Sequence, residues 1–226
     1  MTTRARPTVE IDPATRPLKF ADELAARAAT RPMRKGERTQ ALLRWATVVV
    51  LEERRPAEVS IELITERAGV SRAAFYQYFD SGLAVIRDVL LEFQRSLISR
   101  MDAVPRGPDA YASIIATHRM YVPYYAVNAA LIEAIRELHG SMPELYAEKD
   151  AVNEVWAQRI AASAARARRT RVTPRLLLEV YALQSMVDDL LRQIYVLGNR
   201  NIILLAPDQE SLIITISDLW HRALYA

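Results

Sequence analysis

Three serines and a glycine, Ser60, Gly69, Ser71 and Ser81, divide residues 60–81 in a way that few folds can hold. Ser60 precedes Ile61, Ile64 and Ala68, which share one helical face, and a serine there caps the helix by accepting from a free backbone N–H. Gly69, having no Cβ, takes the left-handed conformation that ends such a helix without strain. Ser71 is a fresh cap for a short segment, Arg72–Phe79, in which Phe75 and Phe79 lie four apart and form a side to be buried. Arg72, Ala73, Tyr76 and Gln77 fall on the other side. Two short helices about a glycine turn fit the helix-turn-helix unit, whose second helix enters the major groove of DNA. Two helices packed inside a plain bundle share this spacing, so spacing alone leaves both readings open.

The rest of the chain reads as helices separated by breakers, with no strand pair or internal repeat, and the fold class expected is all-α. Residues 1–34 hold Pro7, Pro13, Pro17 and Pro32 and one short helix-compatible stretch, Phe20–Ala29. They are expected to form a mostly flexible basic arm. The cluster Arg31, Arg34, Lys35 and Arg38 leads into a helix over Thr39–Glu53, which stops before Pro56. Ser81 caps a longer helix, Gly82 to about Met101, with Leu83, Ile86, Leu90, Phe93 and Leu97 as its apolar face. Further helices are expected at Ala110–Met120, Tyr124–His139, Glu144–Arg168, Pro174–Leu197 and Asp208–Tyr225. Val122-Pro123 and Gly198 to Pro207 are among the gaps.

The stretch Ile64-Thr65-Glu66-Arg67-Ala68-Gly69-Val70-Ser71-Arg72-Ala73-Ala74-Phe75-Tyr76-Gln77-Tyr78-Phe79-Asp80-Ser81 closely resembles the signature of the tetracycline-repressor-type (TetR) regulators. That signature runs as a helix, an Ala-Gly-Val-Ser turn and a recognition helix with Phe-Tyr-x-x-Phe. The resemblance covers about residues 37–95. It implies a helix-turn-helix domain at 35–81 and a helical ligand-binding and dimerisation domain at 82–226. It also implies that Arg72 and Ala73 approach base edges and that Tyr76 and Tyr78 contact phosphates or nearby bases. Arg can bond a guanine bidentately, a small Ala can touch a thymine methyl, and Tyr hydroxyls are good phosphate anchors. For each tyrosine a packing role stays open. Lys35, Arg38, Ser60, Ser71, Gln77 and Gly82 complete the expected DNA-binding set. Two departures matter: the family usually has a phosphate-contacting Lys where Gly82 stands, and Glu62 is expected on the DNA side, where it repels phosphate. The free amides of the helix beginning at Gly82 can still receive a phosphate.

The resemblance further implies a homodimer that binds a pseudo-palindromic double-stranded operator, and a repressor released by a small molecule. The stripes Leu176, Val180, Leu183, Val187, Leu190, Ile194 and Ile213, Ile216, Leu219, Trp220, Leu224 suit a four-helix dimer interface or, equally, the core of one protomer. Met120, Tyr121, Tyr124, Tyr125, Trp156 and Trp220 are candidate apolar walls of an effector pocket, with Gln184 and Asp188 as polar anchors. An apolar or aromatic effector is expected, since no cluster of like charge marks this half.

Charge supports an anionic partner for the first half: residues 1–103 carry 17 Lys and Arg against 14 Asp and Glu, and residues 104–226 carry 13 of each. With no Cys, and with His118, His139 and His221 far apart, neither thiolate chemistry nor a metal spacing is expected, and no cofactor. Asp188-Asp189 with His118, or Glu133 with Glu137, can be drawn as acid–base pairs, but no nucleophile motif or phosphate-binding loop accompanies them, so no enzyme is expected. No apolar run reaches the length of a membrane span, and no apolar stretch follows Arg4 and Arg6 as in a secretory signal; a cytoplasmic bacterial protein is expected. The rival class is a helical ligand-binding or protein-interaction module with weak or lost DNA binding.

Overall fold

A computed structural model describes residues 18–30, 33–206 and 208–225. Among them the chain forms eleven α-helices and no strand: α1 Phe20–Thr30, α2 Lys35–Glu53, α3 Ile61–Ala68, α4 Arg72–Phe75, α5 Gly82–Asp102, α6 Ala110–Val127, α7 Ala129–Leu138, α8 Pro143–Ala167, α9 Pro174–Tyr195, α10 Arg200–Leu205 and α11 Gln209–Tyr225. None of them is long and apolar enough to cross a membrane. Residues 1–17, Arg31 and Pro32 of the expected arm lie outside the described residues.

Residues 20–30 correct the expectation of a flexible arm. Phe20 and Ala21 are buried, and Phe20 meets Phe93 of α5 edge-on at 5.4 Å. Glu23 shares that inward face and is fully buried; it accepts from Ser96 Oγ at 2.7 Å and from Arg100 at 2.8 Å, and it also pairs with Arg27. Arg27 reaches on to Glu92 at 2.9 Å. The backbone N–H of Phe20 donates to Asn128 Oδ1, and Asn128 Nδ2 donates to the carbonyls of Leu18 and Tyr124. The surrounding prolines suggested an arm, whereas α5 supplies the cation that offsets the burial of Glu23 and docks the helix.

Two hydrophobic cores result, and the division does not fall at residue 82. The first joins α1–α4 and the first half of α5 to Tyr124, Leu131, Leu138 and Leu145. The second holds Val122, Tyr125 and the inner faces of α8, α9 and α11. Successive residues of α6 therefore enter different cores, which explains why Pro123 does not break the helix as expected. Proline forfeits one backbone hydrogen bond, while Val122, Tyr124 and Tyr125 are each fully buried around it. Burial of side chains this large contributes about 1.5–3 kcal/mol each. The break comes instead at Asn128, between α6 and α7.

Three further expectations are revised. The recognition segment is α-helical only over Arg72–Phe75 and closes as a turn through Phe79, whose N–H still donates to Phe75 C=O. Within the expected 198–207 loop, α10 forms after Gly198, whose φ is 62°, with Asn199 as its cap. Leu176, Val180, Val187 and, on α11, Ile213, Ile216, Trp220 and Leu224 are buried in one protomer's second core, so these stripes are not a free dimer surface.

Glu23→Gln should destabilise the protein by about 3–5 kcal/mol, because it leaves Arg100 buried without its counter-charge. Burial raises the Glu23 carboxyl, but Ser96, Arg100 and Arg27 outweigh it and hold its pKa below the ordinary value. The wild-type advantage is thus full above the ordinary carboxylate pKa and is lost as pH falls through the depressed folded value. Urea titrations across pH check this: the two midpoints should converge in acid, with unchanged slope.

Candidate nucleic-acid interface and effector cavity

The head is assembled from local devices. Ser60 Oγ accepts from Leu63 N at 3.3 Å, Ser71 Oγ from Ala74 N at 3.2 Å, and Ser81 Oγ from Ala84 N at 3.1 Å. Gly69 sits at φ 65°, ψ 33°, and Val70 N–H returns to the carbonyl of Thr65. Inside the turn, Ile64 and Phe75 are fully buried, and Phe75 and Phe79 lie with ring centroids 5.8 Å apart. With that side occupied, Ser71, Arg72, Ala73, Tyr76 and Gln77 are all exposed.

Neighbouring elements extend the exposed face. A Cβ on Gly36, in the first turn of α2, would lie 3.2 Å from Tyr78 Oη, which brings the start of α2 against the recognition segment; Lys35 and Arg38 in that turn are exposed. Tyr78 itself is half-buried against the first core, a packing role that leaves only its hydroxyl near the α2 terminus. On the other flank a Cβ on Gly82 would stand 3.7 Å from Ile61 Cγ1, which brings the amino ends of α3 and α5 together. Glu62 is not loose on this face. It pairs with Arg72, each side chain being about 60% exposed, and Arg72 also reaches Tyr76 Oη at 3.4 Å. Backbone and Ser60 hydrogen bonds, then the Arg72 charge, hold the Glu62 carboxyl below its ordinary pKa.

The second half encloses a cavity of about 880 Å³ between α5, α6, α7, α8, α9 and α11. Trp156, Gln184, Asp188 and Trp220 line it. Met120 and Tyr124 do not: Met120 packs on the first core, and Tyr124 is fully buried there, stacked on Phe93 at 5.7 Å. They stand on the side of α6 that turns towards the head. Tyr121, one turn away, enters the cavity in their place.

Asp188 is committed from both sides, accepting from Tyr121 Oη at 2.8 Å and from Lys149 Nζ at 3.2 Å. Burial, then Asp188, push the Tyr121 phenol well above its ordinary pKa. His118 also lines the cavity. It is 5% exposed, its Nδ1 is 2.9 Å from Ser217 Oγ, and burial pushes its pKa down to about 4, so the ring is neutral near pH 7. Lys149 was not among the sequence candidates; Tyr121 was, as an apolar wall together with Tyr125, which stays in the second core, and His118 only as an acid–base partner of Asp188-Asp189. The partners of Tyr121, His118 and Lys149 lie 67, 99 and 39 residues away, a pairing that no local pattern announces.

Residues 45–86 match the family model of the bacterial regulatory proteins of the tetR family, a span from within α2 to the start of α5. Among solved structures, a TetR family transcriptional regulator from Chloroflexus aurantiacus J-10-FL is similar with a TM-score of 0.55. Identity is 17%, and the alignment covers 87% of this chain and 96% of that one. At this identity the likeness is one of fold. No curated protein matches the chain.

Glu62→Gln removes the anion that holds Arg72. Affinity for any DNA duplex should rise several-fold at low salt, with the slope of log K against log salt steeper by about one contact. Fluorescence anisotropy over a salt series measures both, and an unchanged slope with unchanged affinity would show that Arg72 is not restrained by this pair.

Proposed function

We propose that this chain, whose residues 45–86 match the family model of the bacterial regulatory proteins of the tetR family, is a DNA-binding transcriptional repressor, active as a homodimer and released by a small ligand held in the cavity. The observation that carries the DNA reading is the exposed row Arg72, Ala73, Tyr76 and Gln77, backed by buried Phe75 and Phe79. Lys35, Arg38, Ser60, Ser71, the Tyr78 hydroxyl and the first amides of the helix at Gly82 flank that row as phosphate contacts, which set register without reading sequence. Arg72 and Ala73 are the base readers.

In the dimer the two recognition segments occupy successive major grooves, about 34–36 Å apart. The interface is formed by the outward faces of α9 and α11, where Leu178 is 69% exposed and Tyr181, Ile214 and Leu219 are also exposed. α5 carries the signal. It begins at the DNA face with Gly82, and its later residues, from Phe93 to Asp102, line the cavity. A ligand that wedges α5 moves the heads and releases DNA only if it binds the DNA-free conformation better. Trp156, Gln184, Asp188 and Trp220 are its contacts.

A second reading, a ligand-binding module with a weakened DNA grip, is favoured by one observation, the engagement of Arg72 by Glu62. A shift assay on the gene's own upstream region, run over a salt series, separates the two. The wild type should retard the duplex in a salt-dependent manner, and Arg72→Ala should lose about 1–3 kcal/mol of discrimination against altered sites. Absence of salt-dependent binding by the wild type would remove the repressor reading. Unchanged specificity in Arg72→Ala would remove the base-reading role.

A further inference from the structure

Glu62 and Arg72 belong to different helices and meet on the exposed face of the head. Glu62 stands in the first turn of α3, and Arg72 is the first residue of the recognition segment. Their side chains pair, yet each stays about 60% exposed. Ion pairs this exposed add little to stability, so the fold does not need this one. The Arg72 guanidinium also reaches Tyr76 Oη at 3.4 Å, and its Cζ lies 5.9 Å from the centre of that ring. Beside them Ala73 is exposed and offers only a methyl group, so nothing bulky screens the pair. Backbone and Ser60 hydrogen bonds, then Arg72, hold the Glu62 carboxyl below its ordinary pKa. It is therefore ionised near pH 7 and can act only as an acceptor.

We propose that Glu62 is itself a base reader, accepting from the amino group of a cytosine in the base pair that Arg72 reads or in the next one. This rests on the DNA reading of the head and adds a specificity-determining residue to it. A G·C pair shows the major groove two acceptors on guanine, O6 and N7, and one donor on cytosine, N4–H. A guanidinium and a carboxylate side by side carry the matching donors and acceptor. The two side chains touch, and successive base pairs are about 3.4 Å apart, which keeps both bases within reach. Arg72 must leave Glu62 to meet a base. Where guanine and cytosine are both offered, each partner of the broken pair is replaced. Elsewhere the carboxylate is left without a donor in a groove walled by phosphates, and affinity falls. Glu62 thus selects a site as well as repelling the backbone.

Sites selected by the full-length wild type from a randomised duplex library supply the probe, and fluorescence anisotropy reads the affinities. Each fixed cytosine of the selected half-site is replaced in turn by N4-methylcytosine. That base keeps the guanine and the pairing but puts a methyl group where the major groove shows the free N–H. At one position the wild type should lose affinity about tenfold, the effect of one hydrogen bond to a charged group. Glu62→Ala should bind the two forms equally while still preferring guanine through Arg72. Glu62→Gln, which keeps an acceptor without the charge, should retain a several-fold penalty. The wild-type measurement needs no variant to fold, and thermal melting checks both variants. Indifference of the wild type to every methylated cytosine, an equal penalty in Glu62→Ala, or a selected site with no fixed G·C pair would each overturn the proposal. Loss of guanine preference in Glu62→Ala, with methylation neutral in the wild type, would make Glu62 a positioning residue for Arg72 and overturn it too. If the wild type binds no duplex at all, the DNA reading itself falls. If it selects a site that methylation does not weaken, only the role of Glu62 falls.

Discussion

Phe93 stacks on Tyr124 with planes 7° apart, Phe20 meets Phe93 edge-on, the Arg100 guanidinium lies 5.2 Å over the Tyr124 ring, and Arg100 bonds Glu23 on the helix that carries Phe20. These contacts close a loop through α1, α5 and α6 at the level where the head's core ends and the cavity begins. Close-packed aromatic contacts of this kind do not deform continuously; they hold or they repack. The orientation of α5, and with it the placement of the head, depends on this clasp. α1 is thus a structural member of the junction, pinned at its start by Asn128 and along its inner face by Glu23.

The exposed face of the head is arranged around a few charged side chains. Position 82 is glycine, and at the amino end of α2 Gly36 lies close to the Tyr78 hydroxyl while Lys35 and Arg38 are exposed. Glu62 does not simply repel. In the free head it holds Arg72 over the edge of Tyr76, which restricts a long side chain that would otherwise sample many rotamers. The arginine is therefore partly ordered, and any other partner must first open that ion pair.

The cavity follows a different electrostatic rule. Its acid–base pairs are internal, its histidine is kept neutral by burial, and its aromatic walls come from four different helices, α5, α6, α8 and α11. The same α5 that closes one wall begins beside the recognition segment, so occupancy of the cavity and position of the head share one rigid element.

What the sequence by itself determined is the part governed by short-range physics. The caps at Ser60, Ser71 and Ser81 act three residues along the chain, and Gly69 adopts the left-handed conformation that its missing Cβ permits, so two short helices about a glycine turn could be read from spacing, and the resemblance to the TetR signature singled out the helix-turn-helix. The all-α architecture and most helix limits follow from the same local rules. Tertiary structure alone decided whether Glu23 would be solvated or buried, because its cation stands 77 residues away. It also carried α6 through Pro123, where burial on both sides outweighs one lost hydrogen bond. Most of the α9 and α11 stripes went to the core, with Leu219 left exposed, and Tyr121, rather than Tyr124, was turned into the cavity. Periodicity states that a helix has an apolar side; which neighbour covers that side is settled only when the other helices are in place.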